Sequence, residues 1–287
     1  MKRCITILIG LFLASSLMAN LNDDLFEAVI KGNKKKVVLL IKKGVDVKAE
    51  NTHGRTPLHF ACRGGIKWFV KKLIRNGANI NSQTFYPEQS YLRSIDEGIT
   101  PLDEAVIGGH MEIVQLLIKK GANIKLRNES KETAMHYSAW YNRVEIAKLL
   151  IEKGLKVNAK NYNDETPIFY AVREGHIKMV KLLVKNGASF DLKSLFLGET
   201  LLHRSVTHGH YEISVYLIKK GLNVNSKNGF NWTPLHNAVS ESHLKIVKLL
   251  ILNGVNVNAK TKNGKTPLDL AEGDAMKKLL REVGAKS

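Results

Sequence analysis

Seven threonines divide this chain into segments of nearly constant length. Thr56, Thr100, Thr133, Thr166, Thr200, Thr233 and Thr266 follow one another at steps of 44, 33, 33, 34, 33 and 33 residues. A glycine series at the far end of each segment, Gly44, Gly77, Gly121, Gly154, Gly187, Gly221 and Gly254, repeats in step with it. A fixed period in this range means that one small supersecondary unit is repeated, and such a unit cannot bury its apolar face alone. Neighbours must stack, which constrains the chain to a solenoid in which each unit packs on the next.

Each unit has the same grammar. Thr before Pro, as in T-P-L-H at 56–59 and 233–236, caps a helix whose first turn tolerates proline's missing N–H. Small residues on that helix, Ala61, Ala105, Ala139, Ala171 and Ala238, let neighbouring helices approach closely. A turn such as Gly109-His110 or Gly175-His176 reverses the chain into a second helix. That helix has the apolar spacing of I-V-Q-L-L-I at 113–118 or I-V-K-L-L-I at 246–251 and ends at a glycine suited to a left-handed C-cap. Segments such as A-N-I-N, K-V-N-A and N-V-N-A then lead into turn residues, for example Lys262-Asn263-Gly264, which predict a hairpin-like finger.

The 33-residue helix-pair unit and its T-P-L-H-x-A signature resemble the ankyrin repeat, over essentially the whole chain after residue 19. The signature varies as T-P-L-D at 100 and 266, T-A-M-H at 133, T-P-I-F at 166 and T-L-L-H at 200, yet the register holds. One period before Thr56 lies Asp23, where D-D-L-F-E-A-V-I-K-G-N reads as a first repeat without its finger. At the other end, T-P-L-D-L-A-E-G-D-A-M-K-K-L-L-R closes the array with a shortened unit. The expectation is therefore an all-α repeat solenoid of about eight helix-turn-helix units within residues 20–287. The units start near 23, 56, 100, 133, 166, 200, 233 and 266, and the end ones are polar caps. The eleven-residue excess between Thr56 and Thr100, which falls within residues 83–97, predicts an enlarged finger there bearing Phe85 and Tyr86.

Residues 1–19 read as a secretory signal peptide: Lys2 and Arg3, an apolar run from Ile5 to Leu13, then small residues that allow cleavage after Ser16 or Ala19. This predicts a periplasmic or secreted protein; the competing reading is an uncleaved N-terminal membrane anchor. Removing the segment takes the formal charge from +18 to +16 and leaves Cys62 alone, so no internal disulfide framework exists and stability must come from packing.

Three imidazoles in H-R-S-V-T-H-G-H at 203–210 invite a metal or catalytic reading, but register assigns most of the ten histidines elsewhere. His59, His136, His203 and His236 are fourth in the signature; His110, His176, His210 and His243 follow the inter-helix turn or glycine. Only His53 and His208 fall outside. Cys62 and His59, three apart on one helix, replace a small core residue and a framework residue. Neither spacing matches a zinc helix or an activated nucleophile, and no phosphate-cradling loop or paired-acid constellation occurs. No catalytic, metal or cofactor residues are expected. The high pI, about 9.8, is an electrostatic flag for nucleic acid. Its lysines, however, fall on the second helices and their last turns, where they face solvent and complement the helix dipole. That leaves, as the alternative function, a membrane-associated or host-directed secreted factor that uses its basic convex face, with weak attraction to anionic membrane surfaces.

What the resemblance implies is a non-catalytic scaffold that binds a protein partner through fingertips and the exposed ends of first helices. By register those positions include Trp140, Tyr141, Tyr162, Phe196, His208, Phe230 and Trp232, a row of aromatics with one odd histidine. Glu132, Glu165 and Glu199 recur at one position of successive units, beside Glu174 and Glu241, so the front is expected to be acidic and to favour a partner with apolar and cationic groups. Nucleic acid is not expected as a partner, and nothing calls for a homo-oligomer.

Overall fold

A computed structural model of the protein describes residues 20–85, 97–195 and 197–287. The expected signal segment, most of the enlarged finger and Phe196 lie outside them. The described residues form eight helix pairs. Helix α1 covers 20–30 and is followed by α2 (Lys34–Lys42), α3 (Pro57–Arg63), α4 (Lys67–Arg75), α5 (Pro101–Gly108) and α6 (Met111–Lys119). Then come α7 (Ala134–Trp140), α8 (Val144–Glu152), α9 (Pro167–Arg173), α10 (Ile177–Lys185), α11 (Leu201–Thr207) and α12 (Tyr211–Lys219). The last four are α13 (Pro234–Ser240), α14 (Leu244–Leu252), α15 (Pro267–Leu270) and α16 (Asp274–Glu282). The chain divides into two compact units, one ending at Tyr137 and the other beginning at Ser138. In the first, α3 packs on α4 and α5, and α6 on α5 and α4; in the second, α9, α11, α13 and α15 pack in series, each against its own second helix.

Helices of seven to nine residues are too short to persist alone in water, so burial between neighbours holds them. The inner second helices bury residues i, i+1 and i+4, as in Phe69, Val70 and Leu73; Ile113, Val114 and Leu117; Met179, Val180 and Leu183; Ile246, Val247 and Leu250. Each such side chain contributes about 1.5–3 kcal/mol on leaving water. Cys62 is fully buried beside Ala61, and desolvation, with Glu104 nearby, pushes its thiol well above the usual range. The N-terminal cap is less polar than expected, because Ile30 and Leu39 are exposed.

The signature threonine sits in extended backbone (Thr56 φ −94°, ψ 164°) and caps its helix reciprocally. His59 Nδ1 accepts from Thr56 N at 3.0 Å, and its Nε2–H donates to the Ile99 carbonyl at 3.1 Å, tying this unit to the next. His203 does the same with Thr200 N (3.2 Å) and Trp232 O (3.0 Å). Asp103 and Asp269 replace the histidine without loss of the cap, each accepting through Oδ2 from its threonine N–H and hydroxyl. The T-P-I-F unit departs from this: Phe169 offers no acceptor, and Thr166 Oγ1 is buried without a hydrogen-bond partner among the described residues.

The Gly-His turn is a lock between repeats as well as a reversal. Nε2 of His210 donates to Arg173 O at 2.8 Å, that of His243 to Thr207 O at 3.2 Å, and that of His176 to Trp140 O at 3.0 Å, each at the end of the preceding unit's first helix. A Cβ on Gly175 (φ 77°) would stand 2.6 Å from the His210 ring, and one on Gly209 (φ 71°) 2.9 Å from that of His243. Only glycine combines that left-handed backbone with the missing side chain.

Candidate functional site

Fingers are closed at their base by one recurring device. Asn161 N–H donates to Glu165 O at 3.0 Å, and Asn161 Oδ1 accepts from Asn163 N (2.8 Å) and Glu165 N (2.9 Å). Asn51 and Asn228 repeat this arrangement for the fingers ending at Arg55 and Trp232. Ser194 and Thr261 use a hydroxyl, accepting from Glu199 N and Lys265 N. An asparagine five residues before the threonine, at 51, 128, 161 and 228, was the sequence signal for this staple. In the 44-residue step the same pairing spans a longer loop: Thr84 N donates to Ile99 O at 3.0 Å and Thr84 Oγ1 accepts from Ile99 N at 2.9 Å. The described residues on either side of the insertion therefore meet at an ordinary finger base.

Adjacent fingers are tied tip to tip by main-chain bonds. In the second unit Leu195 N donates to Asn163 O (3.0 Å), Gly229 N to Leu197 O (2.7 Å) and Lys262 N to Phe230 O (3.0 Å). These links bring Tyr162, Leu195, Leu197 and Phe230 into three neighbouring tips, where they are 53%, 60%, 40% and 55% exposed. Tyr162 and Phe230 stand where the sequence put them. Leu195 was missed, because its finger is one residue longer than the others and shifts the register there. Phe85 is also an exposed fingertip residue, but in the first unit, where its N–H donates to His53 O at 3.2 Å. Tyr86 and Phe196 lie outside the described residues.

At the ends of α7 and α9 the aromatics are less free than expected. Trp140 is half-buried, stacked on Tyr141 (5.6 Å, 24°) and tilted against Tyr170 (5.5 Å), and the Arg173 guanidinium lies 5.0 Å from both the Trp140 and Tyr170 rings. Tyr141 remains exposed, and Arg173 Nε donates to Glu174 Oε1 at 2.8 Å. Trp232 is half-buried, 5.9 Å from the His236 ring, and so supports its neighbour's cap rather than standing out as an anchor. His208 is exposed at the end of α11; its Nδ1–H donates to Arg204 O at 3.0 Å and its ring stacks on His210 (6.0 Å, 15°), which leaves Nε2 outward.

The expected acidic front is overturned in its recurring glutamate row, while Glu174 and Glu241 are exposed as expected. Glu165 is buried and Glu199 half-buried, and both carboxylates converge on Arg204 of α11, with Nη2 to Glu165 Oε1 at 2.6 Å and Nε to Glu199 Oε2 at 3.1 Å. Glu132 is buried against Asn128 at 2.9 Å. In the first unit Glu104 is likewise buried, bracketed by Arg55 (3.4 Å) and Arg63 (3.1 Å). The physical reason is that the last finger position faces the neighbouring first helix, where an unpaired carboxylate would be costly. Glu104, Glu165 and Glu199 thus neutralise arginines within the protein, and Glu132 is buried beside an asparagine, so this row presents little acidic field to a partner.

His203 cannot join a metal triad with His208 and His210, since it is fully buried and both its ring nitrogens are committed to backbone groups. The lysines of the second helices, among them Lys119, Lys153, Lys185 and Lys219, are exposed at helix ends as expected. No helix among the described residues is long and apolar enough to cross a membrane.

Comparison with known proteins agrees with this architecture. A family model described as ankyrin repeats (3 copies) matches residues 5–84, 87–161 and 158–228, and a second, ankyrin repeats (many copies), matches 217–271. Among curated proteins, Protein phosphatase 1 regulatory subunit 27 of Homo sapiens is 44% identical over 55 residues, which are 19% of this chain and 36% of that protein. Rabankyrin-5 of Homo sapiens is 42% identical over 53 residues, 18% of this chain and 4% of that protein. Delta-latroinsectotoxin-Lt1a of Latrodectus tredecimguttatus is 39% identical over 56 residues, 19% of this chain and 5% of that protein. The matched stretch is thus a minor part of each relative's length. From signature threonine to finger staple, across the greater part of its length, this chain belongs to the ankyrin repeat family.

Proposed function

We propose that the protein is a non-catalytic scaffold that binds a protein partner through the fingertips and first-helix ends of its second unit. The observation that supports this most directly is the exposed apolar row of Tyr162, Leu195, Leu197 and Phe230, fixed in mutual position by the finger-to-finger hydrogen bonds. Rigid tips cost little ordering entropy on binding, and large apolar side chains supply the buried area an interface needs. The name of one relative, a phosphatase regulatory subunit, fits a module that acts by binding. The absence of catalysis is supported by the chemistry of the suggestive groups: Cys62 is buried with its thiol pushed up, and the signature histidines hold backbone.

The test is recovery of a partner from the native compartment by wild-type protein and by Tyr141→Ala/Tyr162→Ala/Phe230→Ala. All three are exposed, so the fold should survive, and recovery should fall by about tenfold or more. Undiminished recovery would overturn the reading. We further propose export by residues 1–19, supported by their basic start and apolar run. N-terminal sequencing should find a chain beginning near Leu17 or Asn20; an intact Met1 in the cytoplasmic fraction would refute it.

A further inference from the structure

The carboxylates of the second unit's fingers are few and mostly consumed. Residues 156–165, 189–199, 222–232 and 256–265 contain Asp164, Glu165, Asp191 and Glu199. Of these, Glu165 and Glu199 are held by Arg204, and Asp164 pairs with Lys160 at 3.2 Å. Against them stands a basic column in register, Lys160, Lys193, Lys227 and Lys260, joined on the last finger by Lys262 and Lys265; all six are exposed. Among the described residues no carboxylate forms an ion pair with Lys193, Lys227, Lys260, Lys262 or Lys265. On the first-helix side the Arg173 guanidinium lies 5.0 Å from two ring centroids and pairs through Nε with Glu174, with its Nη groups unmatched by any acceptor among the described residues.

Apolar tips set between unpaired lysines define a complementary ligand. We propose that this surface takes an acidic polypeptide segment that also carries apolar or aromatic side chains, the apolar groups seating on Tyr162, Leu195, Leu197 and Phe230 and the carboxylates meeting Lys193, Lys227, Lys260 and Arg173. The inference rests on the protein-binding reading and reverses the preference for a cationic partner that the sequence alone suggested. Lys193 donates to the Lys227 carbonyl at 3.0 Å, but lysines that hold no ion pair in the free protein give none up on binding, so complementary charge speeds encounter without that cost.

The probe is the random copolymer poly(Glu,Tyr), with poly(Glu) and poly(Lys,Tyr) as comparisons and full-length protein throughout. Fluorescence anisotropy should show poly(Glu,Tyr) bound about tenfold more tightly than poly(Glu), poly(Lys,Tyr) not bound, and affinity falling with added salt. Tyr162→Ser/Leu195→Ser/Phe230→Ser should erase the preference over poly(Glu). Lys193→Glu/Lys227→Glu/Lys260→Glu should abolish binding of both acidic polymers, while Lys181→Glu/Lys219→Glu/Lys248→Glu on α10, α12 and α14 should leave it. Circular dichroism of each variant checks the fold, and the exposed charge set remains decisive if the apolar set unfolds. Equal loss from the second-helix variant would mean unspecific attraction by net charge and overturn the proposal. So would binding to vesicles of phosphatidylcholine and phosphatidylglycerol, sensitive to the finger lysines, without binding to poly(Glu,Tyr). Should the native pull-down lose its partner on fingertip substitution while poly(Glu,Tyr) shows no preference, the acidic ligand is wrong and the binding reading stands; failure of both experiments removes both.

Discussion

Thr166 and Thr200 occupy the same position of successive repeats and differ in what their hydroxyls do. Thr200 Oγ1 lies 2.8 Å from His203 Nδ1, whereas Thr166 Oγ1 is buried beside Phe169 with no partner among the described residues. Thr200→Val should therefore cost about 1 kcal/mol by loss of the cap, while Thr166→Val should be neutral or mildly stabilising because it removes an unsatisfied buried hydroxyl. Urea denaturation of the two variants checks this; equal losses would show that the hydroxyl is not what the cap uses. The histidine at the fourth signature position was legible as structural from its recurrence alone. Which unit lacks a functioning box was also legible, since phenylalanine offers no acceptor. That the orphaned hydroxyl is buried was not, because burial depends on how the next unit closes over it.

Elements are joined by the Gly-His lock and by Arg204. Ser242 (φ 58°) stands where Gly65, Gly109, Gly175 and Gly209 stand in other units, and the following repeat has no histidine to fill the space. Ser242→Gly should gain about 0.5–1 kcal/mol by relieving the left-handed backbone. Gly209→Ala should lose more than that, because it adds a clash with His243 to the same strain. Thermal unfolding decides between them, and a loss on Ser242→Gly would show that the serine side chain holds the turn. Arg204→Ala leaves two largely buried carboxylates uncompensated and should cost about 3 kcal/mol. Arg204→Met/Glu165→Gln/Glu199→Gln should recover most of that loss; a triple variant as unstable as Arg204→Ala would mean that the arginine acts by packing and not by charge. Misreading the glutamate row has a definite cause: the period tells which positions are equivalent, while Glu165 and Arg204 meet across 39 residues of sequence.

At the scale of the molecule, buried histidines and one buried aspartate give stability an opposed pH dependence. His59 and His203 are each lowered by burial from 6.5 to about 4. The unfolded chain binds more protons between those values, so their contribution is complete above pH 6.5 and is lost as pH falls through 4, at about 3 kcal/mol each. Asp103, raised by burial from 3.8 to about 6, runs the other way: its contribution is complete below 3.8 and is lost as pH rises through 6. With these two histidines, and His236 lowered by burial in the same direction, against one aspartate, denaturation at pH 7 and pH 4 should show a net loss on acidification of at least about 3 kcal/mol. Asp103→Asn keeps an acceptor for Thr100 and should stabilise at pH 7 but not at pH 4. A stability flat across this range, with Asp103→Asn indifferent to pH, would mean that these groups stay hydrated.

Period, signature and helix spacing in the chain were enough to require a stacked all-α array, because a 33-residue unit with one apolar face has no other way to leave water. They also placed the fingertips and separated framework histidines from His208. The charge of the proposed binding face could not be read that way. Sequence register counted Glu132, Glu165 and Glu199 as surface, but packing turns them toward the array and pairs Glu165 and Glu199 with an arginine from the next first helix. Lys193, Lys227, Lys260, Lys262 and Lys265 in the same fingers find no carboxylate partner among the described residues. The sign of an electrostatic surface is what remains after internal pairing, and internal pairing exists only once neighbouring units are in contact.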